Sequence, residues 1–378
     1  MSTHSGYFFM PEPQQQAVDA LGVDGTVEWW LHFLVDGKFY SLFSLLFGIG
    51  FAIQMKRSQE RNESFTGRYM RRLFILFILG LLHAILFYVG DILTVYAMLG
   101  FVLLLFRNSS NKTLLIAAMI LLILPVVQYA IFWFPSITAT EVSGPPAGGR
   151  PPLFDMLIQT YQGDNFLEIM QMNIGGLIFG RYPDLIFTGR FFRVLSMFLL
   201  GFYITRRMLF AKLEEKKSFL KKVMIAGAAI GIPLNIILAM MMETNSYYAL
   251  QPTGIIQPLV YAYGVPALSL SYAAAMALIF ISRRRNMLLF FAPVGQMALT
   301  NYLVQSIICA IIFMGYGFGW FAKVGIFYLL LIGLAIYVAQ VLFSRWWMSR
   351  YRFAPMEWLW RRLTYRQQIS ISKPVVQT

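Results

Sequence analysis

Nine apolar runs with few internal charges follow one another from residue 39 to residue 344, at roughly 39–55, 73–90, 92–106, 113–134, 185–205, 222–241, 258–281, 295–316 and 324–344. About 20 helical residues cross a hydrocarbon core of ~30 Å, so the shorter runs need flanking residues to complete them. A spanning segment in lipid has no water to satisfy its backbone and must therefore be helical. The pattern predicts an all-α, polytopic integral-membrane helical bundle of about nine transmembrane helices. Turn signals separate the runs, among them Asn108-Ser109-Ser110-Asn111, the Gly/Pro stretch 144–149 and the basic run Arg283-Arg284-Arg285.

Composition excludes a water-soluble globule: 58% of the 378 residues are hydrophobic and 13% are charged, against roughly 25% charged in an average soluble domain. The net charge of +14 would suggest nucleic acid if it lay on one soluble face. Its placement argues otherwise. Lys56, Arg57, Arg61, Arg68, Arg71 and Arg72 follow the first run, and only Asp91 follows the second. Arg107 and Lys112 follow the third; the long connection after the fourth has just Arg150 and Arg181. Seven basic residues lie between Arg206 and Lys222, none in 242–257, three at 283–285, and only Lys323 before the last run. The tail is basic again. Under the positive-inside rule this alternation puts the N-terminus outside and the C-terminus in the cytoplasm, in a bacterial inner membrane.

The expected organisation is an external N-terminal segment 1–37, N-terminal helices 38–210 with an external loop 135–184, C-terminal helices 211–344, and a basic, Trp-rich cytoplasmic tail 345–378. The N-terminal segment carries Glu12, Asp19, Asp24 and Glu28 but no Lys or Arg, and no export signal precedes it. The expectation is that a further helix stands upstream in an intact gene. Cys309 is the single cysteine, so neither an intrachain disulfide nor a Cys-based zinc site is available.

The segment Asp36-Gly37-Lys38-Phe39-Tyr40-Ser41-Leu42-Phe43-Ser44-Leu45-Leu46-Phe47-Gly48-Ile49-Gly50-Phe51 resembles a signature of the YeiB family of bacterial membrane proteins. Further blocks are similar to that family: Arg71-Arg72-Leu73, Leu79-Gly80-Leu81-Leu82-His83-Ala84, Gly90-Asp91-Ile92-Leu93, Ala298-Leu299-Thr300-Asn301-Tyr302-Leu303-Val304-Gln305-Ser306 and Pro355-Met356-Glu357-Trp358-Leu359-Trp360-Arg361-Arg362-Leu363-Thr364-Tyr365. Family members open with an additional helix, which implies ten spans. The family is remotely similar to transmembrane acyltransferases such as heparan-alpha-glucosaminide N-acetyltransferase. The resemblance therefore implies an acyl-transfer activity, though fold alone does not fix function.

Ionisable groups inside spans are costly and so become functional candidates. His83 is the one histidine within a run; it is a candidate general base, because imidazole titrates near neutral pH, or else interhelical packing glue. Asp91 orients a histidine, binds a cation or caps the third helix. Eight residues of helix span ~12 Å, so no direct His83–Asp91 contact is expected. Asn301 and Gln305 share one face of the eighth run, as cavity lining or as glue, with Asn301 expected to reach His83. Arg190 and Arg193 are candidate anchors for a phosphate or carboxylate, or they snorkel to headgroups. Lys38 joins Asn301, Gln305 and these arginines as a candidate substrate-binding residue, and Asp36 and Lys38 pair with each other or with the arginines. His32 and Glu28 precede them.

Ser41, Ser44 and Gly48 form a small-residue stripe for close helix approach, and 345–366 reads as an interfacial anchor. Phosphate-loop, dinucleotide, HExxH and GxSxG motifs do not occur. The leading expectation is a transmembrane acyltransferase passing an acyl group from a cytoplasmic donor to a lipid-linked or glycan acceptor at the outer face. Acyl-CoA is the expected donor, with no metal and no permanently bound cofactor. Membrane lipids are the expected partners, nucleic acid is not, and homodimerisation stays open. The rival expectation is a small-solute transporter or exporter. No Pro/Gly-broken pair of helices supports it in the sequence, although Pro233 and Pro266 interrupt the sixth and seventh runs.

Overall fold

The computed structural model describes residues 2–138, 152–207, 213–242, 244 and 246–373. Helices dominate, and among the described residues the only β pairing is one isolated bridge between Tyr351 and Ser372. After short helical turns near residues 2–18, the chain forms α1 (Asp24–Leu34), α2 (Lys38–Glu60), α3 (Phe65–Leu86), α4 (Leu93–Leu105) and α5 (Asn111–Thr138). Then come α6 (Pro152–Gln162), α7 (Phe166–Gly175), α8 (Tyr182–Phe187), α9 (Arg190–Arg206), α10 (Lys217–Met242) and α11 (Ile256–Phe280). The series ends with α12 (Arg285–Gln296), α13 (Ala298–Phe313), α14 (Ile326–Arg350) and α15 (Pro355–Tyr365).

Among the described residues, six stretches are long and apolar enough to cross a membrane: Asp24–Glu60, Phe65–Leu86, Asn111–Pro135, Lys217–Met242, Pro252–Phe280 and Ile326–Arg350. Two bent pairs bring the number to eight: Phe166–Phe187 with Arg190–Arg206 at 63°, and Arg285–Gln296 with Ala298–Phe313 at 70°. The chain is thus an all-α polytopic membrane bundle. The run expected at 92–106 yields only the 13 residues of α4, ~20 Å at 1.5 Å per residue. The first bend falls at Gly189, whose φ of 66° suits glycine, and the second at Met297.

Lipid tails are as apolar as leucine, so helices associate through close packing and internal hydrogen bonds. The stripe on α2 does this. A Cβ on Gly48 would collide with the Phe198 backbone of α9, and one on Gly201 with the Leu45 backbone, so the two helices touch backbone to backbone. Phe47 stacks on Phe198 at 4.4 Å beside them, and Ser44 shares a 2.8 Å hydrogen bond with Tyr96 of α4.

The N-terminal segment is folded rather than merely polar. Both carboxylate oxygens of Asp24 accept from the first turn of α14, from Ile326 N at 2.8 Å and Phe327 N at 2.9 Å, and so complement its dipole. Of the connection expected as an external loop at 135–184, the described part from 152 is largely helical; residues 139–151 lie outside the described set. The tail is likewise tied to the bundle. Glu357 accepts from Leu299 N at 2.7 Å, Thr300 N at 3.2 Å and Thr300 Oγ1 at 2.5 Å, capping α13. Trp360 donates to Arg72 O at 3.0 Å while the Arg72 guanidinium lies 3.7 Å from its ring centroid.

Candidate functional site: a buried His–Asp–Tyr centre

Helix α3 unwinds just after His83. The His83 carbonyl accepts both Phe87 N and Tyr88 N, and the chain turns back through Gly90. This return brings Asp91 alongside the last turn of α3, where Gly80 leaves room: a Cβ there would stand 2.8 Å from Asp91 Oδ2 and 2.7 Å from Thr94 N. His83 Nδ1 and Asp91 Oδ1 are 2.9 Å apart, with side-chain exposures of 1% and 0%. The expected separation of ~12 Å assumed a continuous helix, and the helix does not continue.

Asp91 is fully engaged. Its Oδ1 also accepts from the Tyr302 hydroxyl at 3.1 Å and its Oδ2 from Thr94 N at 2.7 Å, so the capping and the histidine-orienting roles coexist. A carboxylate only accepts, so Nδ1 of His83 carries a hydrogen, and in the neutral ring Nε2 is the nitrogen with the lone pair. That Nε2 is buried with no hydrogen-bond partner among the described residues. The Tyr302 ring lies 4.8 Å from the imidazole and Tyr88 lies 6.5 Å from it. His4 stacks on Tyr88 at 3.5 Å, and both of its ring nitrogens are also buried and without a partner among the described residues. Burial holds His4 well below the ordinary histidine range, so it is neutral at pH 7.

A cationic wall adjoins this centre. Arg181 donates to Gly90 O at 3.5 Å, Arg190 lies 4.0 Å from Asp184, and the Arg193 guanidinium sits 3.8 Å from the Tyr261 ring centroid. The Nε of Arg181 and of Arg193 are buried without partners, as is the Tyr40 hydroxyl. Arg190, Arg181 and Asp91 all lie within electrostatic reach of that hydroxyl, joining the arginines to the His–Asp centre.

Away from this centre, a cavity of about 270 Å³ lies between α1 and α14, lined by His32 and by apolar residues such as Leu31, Ile326 and Leu329. His32 bridges Asp36 at 2.6 Å and Glu28 at 3.7 Å. Both ring nitrogens face carboxylates, which only accept, so both act as donors and neither offers a lone pair to a substrate. Lys38 is fully buried and donates to the His32 carbonyl at 2.7 Å, rather than pairing with Asp36 or the arginines.

The expected His83–Asn301 contact is not formed. Asn301 donates to Ser344 Oγ at 2.9 Å and to Val294 O at 3.3 Å, and Gln340 donates to its carbonyl at 2.8 Å. It joins α13 to α14 as interhelical glue. Gln305 is half-buried and makes no side-chain hydrogen bond among the described residues. The neighbour, Tyr302, is what reaches the centre. Tyr302, His4, Tyr40 and Arg181 were not singled out from the sequence; only Arg181, one of two arginines in an otherwise acidic connection, carried a visible signal. Among the described residues no group of three or more His, Cys, Asp or Glu side chains is placed to hold a metal.

The fold and this centre define a polytopic membrane protein with a buried His–Asp pair beside an arginine cluster. Residues 204–367 match the family model described as "Protein of unknown function (DUF418)". The chain is 33% identical over 353 residues to the Uncharacterized protein YxaH of Bacillus subtilis (strain 168), covering 91% of this chain and 83% of that one. It is 29% identical over 354 residues to the Uncharacterized 39.9 kDa protein in amylase 3'region of Bacillus acidopullulyticus, covering 92% and 86%. It is 27% identical over 334 residues to the Uncharacterized protein YeiB of Escherichia coli (strain K12), covering 87% and 82%. The chain belongs to this YeiB/DUF418 family. No solved structure matches it.

Proposed function

We propose that this protein is a membrane-embedded acyltransferase of a bacterial cytoplasmic membrane, transferring an acyl group from a cytoplasmic thioester donor to an acceptor hydroxyl or amine at the outer face. The observation that carries the reading is the free, buried Nε2 of His83, opposite an Nδ1 fixed by Asp91. His83 Nε2 takes the acceptor proton as the acceptor oxygen or nitrogen attacks the thioester carbonyl. The tetrahedral intermediate collapses by breaking the C–S bond, and the leaving thiolate receives that proton from His83. Asp91 holds the tautomer and steadies the imidazolium, as a carboxylate does in hydrolase triads. Arg181, Arg190 and Arg193 suit an acceptor bearing phosphate or carboxylate groups.

The test is thiol release from acetyl-CoA by purified protein supplied with membrane lipid and glycan extracts. Acceptor-dependent release that His83→Ala abolishes supports the reading; no release by the wild type overturns it.

The two broken helices favour a second reading, transport. Helix breaks beside buried charged groups are a recurring feature of transporter binding sites. Here the 63° bend directly precedes Arg190. Solute flux in reconstituted vesicles, lost on Arg190→Ala, would support transport, and its absence would remove it.

A further inference from the structure

We propose that the end of the bundle opposite the N-terminal segment holds a binding site for an anion carrying more than one phosphate group. The inference goes beyond the acyl-transfer reading, because it stands on a separate cavity.

That cavity, of about 780 Å³, is enclosed by the end of α2, the start of α3 and two parts of the tail nearly 300 residues away in sequence. Arg57, Arg61, Arg68, Arg71 and Arg72 face it from the first two elements, and Arg352 and Arg361 from the tail. Among the described residues Glu63 is the one carboxylate in its lining, and it is taken by Arg68. Six guanidinium charges are left without a carboxylate around one space. Topology alone asks only that basic residues lie on one side of the membrane. It does not ask that two distant stretches converge their arginines on one hollow, where like charges repel unless an anion fills it.

The lining is chemically selective. Among the described residues every cation in it is arginine, whose planar fork matches phosphate oxygens bidentately. Several arginines are already oriented: Arg71 donates to Thr364 O at 3.1 Å, and Arg72 lies against Trp360. Arg57 and Arg61 are exposed and have no side-chain hydrogen bond or ion pair among the described residues, so their donors are free for a ligand. The half-buried rings of Phe353 and Tyr365 in the same wall provide faces on which a nucleobase stacks. The volume suits a nucleotide-sized ligand.

Two sources carry this chemistry: a soluble nucleotide such as coenzyme A and a diphosphorylated lipid headgroup such as that of cardiolipin. The experiment titrates coenzyme A into the full chain in phosphatidylcholine nanodiscs, with adenosine as the phosphate-free control. A parallel arm measures cardiolipin retention by native mass spectrometry. Saturable binding of coenzyme A but not adenosine is expected, weakened at least tenfold in the Arg57→Gln, Arg61→Gln double variant and falling with added salt. An unchanged thermal midpoint for that variant shows that its fold is intact. Cardiolipin retained by the wild type and lost by the variant, without coenzyme A binding, supports the site and assigns it to a headgroup. Binding of neither probe, or equal binding by wild type and variant, overturns it. His83→Ala is expected to bind the probe as the wild type does, which separates failure of this site from failure of acyl transfer.

Discussion

His83 Nδ1 stands 2.9 Å from Asp91 Oδ1, although eight residues separate them and both side chains are sealed from solvent. The contact exists because α3 stops three residues after His83 and Gly80 lets the returning chain lie flat against the helix. Asp91→Ala is expected to leave three donors unanswered: His83 Nδ1, the Tyr302 hydroxyl and Thr94 N. Each buried unsatisfied group costs about 1–3 kcal/mol, so a loss of at least ~3 kcal/mol is predicted. Asp91→Asn retains two acceptor sites and should lose less. Thermal unfolding of the detergent-solubilised variants reads both; equal, near-zero shifts would mean that the pair does not support the fold.

Tyr302 and Asn301 are neighbours on α13 with different jobs, and substitution separates them. Tyr302→Phe keeps the ring against His83 and removes only the hydroxyl that bonds Asp91. A cost of about 1 kcal/mol in stability is expected, together with a loss of His83-dependent acyl transfer larger than that cost implies. Asn301→Ala cuts the link to Ser344 and should cost about 0.6–1.7 kcal/mol with no selective effect on transfer. The ratio of the transfer rates of the two variants checks the assignment, and a lower rate for the asparagine variant would reverse it.

The membrane class was legible because apolar runs of spanning length have one solution in lipid, and helix occurs at each of the nine. The small-residue stripe was legible for a similar reason: Ser44 and Gly48 have few uses in a bilayer other than close approach. The centre was only half legible. Charge inside an apolar run marked His83, and Asp91 stood out between two runs, but their contact depends on where α3 unwinds. The stretch Phe87-Tyr88-Val89 looks like more helix, and only the turn at Gly90 hints otherwise. Tyr302 was hidden by its own chemistry, since a tyrosine in a membrane helix has many uses and a buried partner is only one of them. The arginine cavity was read as topology because sequence distributes charge along a line and cannot show two distant stretches converging.

His4 gives the fold a pH dependence whose sign can be worked out. Burial lowers its pKa well below the ordinary value of 6.5, so the folded protein binds fewer protons than the unfolded chain as pH falls. Stability is therefore full above about pH 6.5 and declines below it, by at most ~1.4 kcal/mol per pH unit for this one group. His4→Phe keeps the stack on Tyr88 without a titrating nitrogen and should flatten this part of the profile. Unfolding midpoints between pH 5 and 7.5 measure it; identical slopes for wild type and variant would remove His4 from the account.

Glu357 links two distant sequence blocks, because its carboxylate caps the first turn of α13 from a helix that follows α14. Met356 N also donates to Thr300 Oγ1 at 3.1 Å, so the tail and α13 hold each other at two points. Glu357→Ala leaves Leu299 N and Thr300 N without their acceptor, a capping loss of about 1–2 kcal/mol. The same change frees α15 to lift from α3 and unwind, which lets a protease bind the chain around the already exposed Arg361, Arg362 and Arg366 in extended form. Limited trypsin digestion of the protein in nanodiscs should then cut the tail several-fold faster than in the wild type. Glu60→Ala is the matched control: that carboxylate faces Lys56 at 3.8 Å in an exposed pair worth little, so its digestion rate should not change. Equal cutting of all three proteins would show that the tail is held by Trp360 and the apolar face of α15 alone.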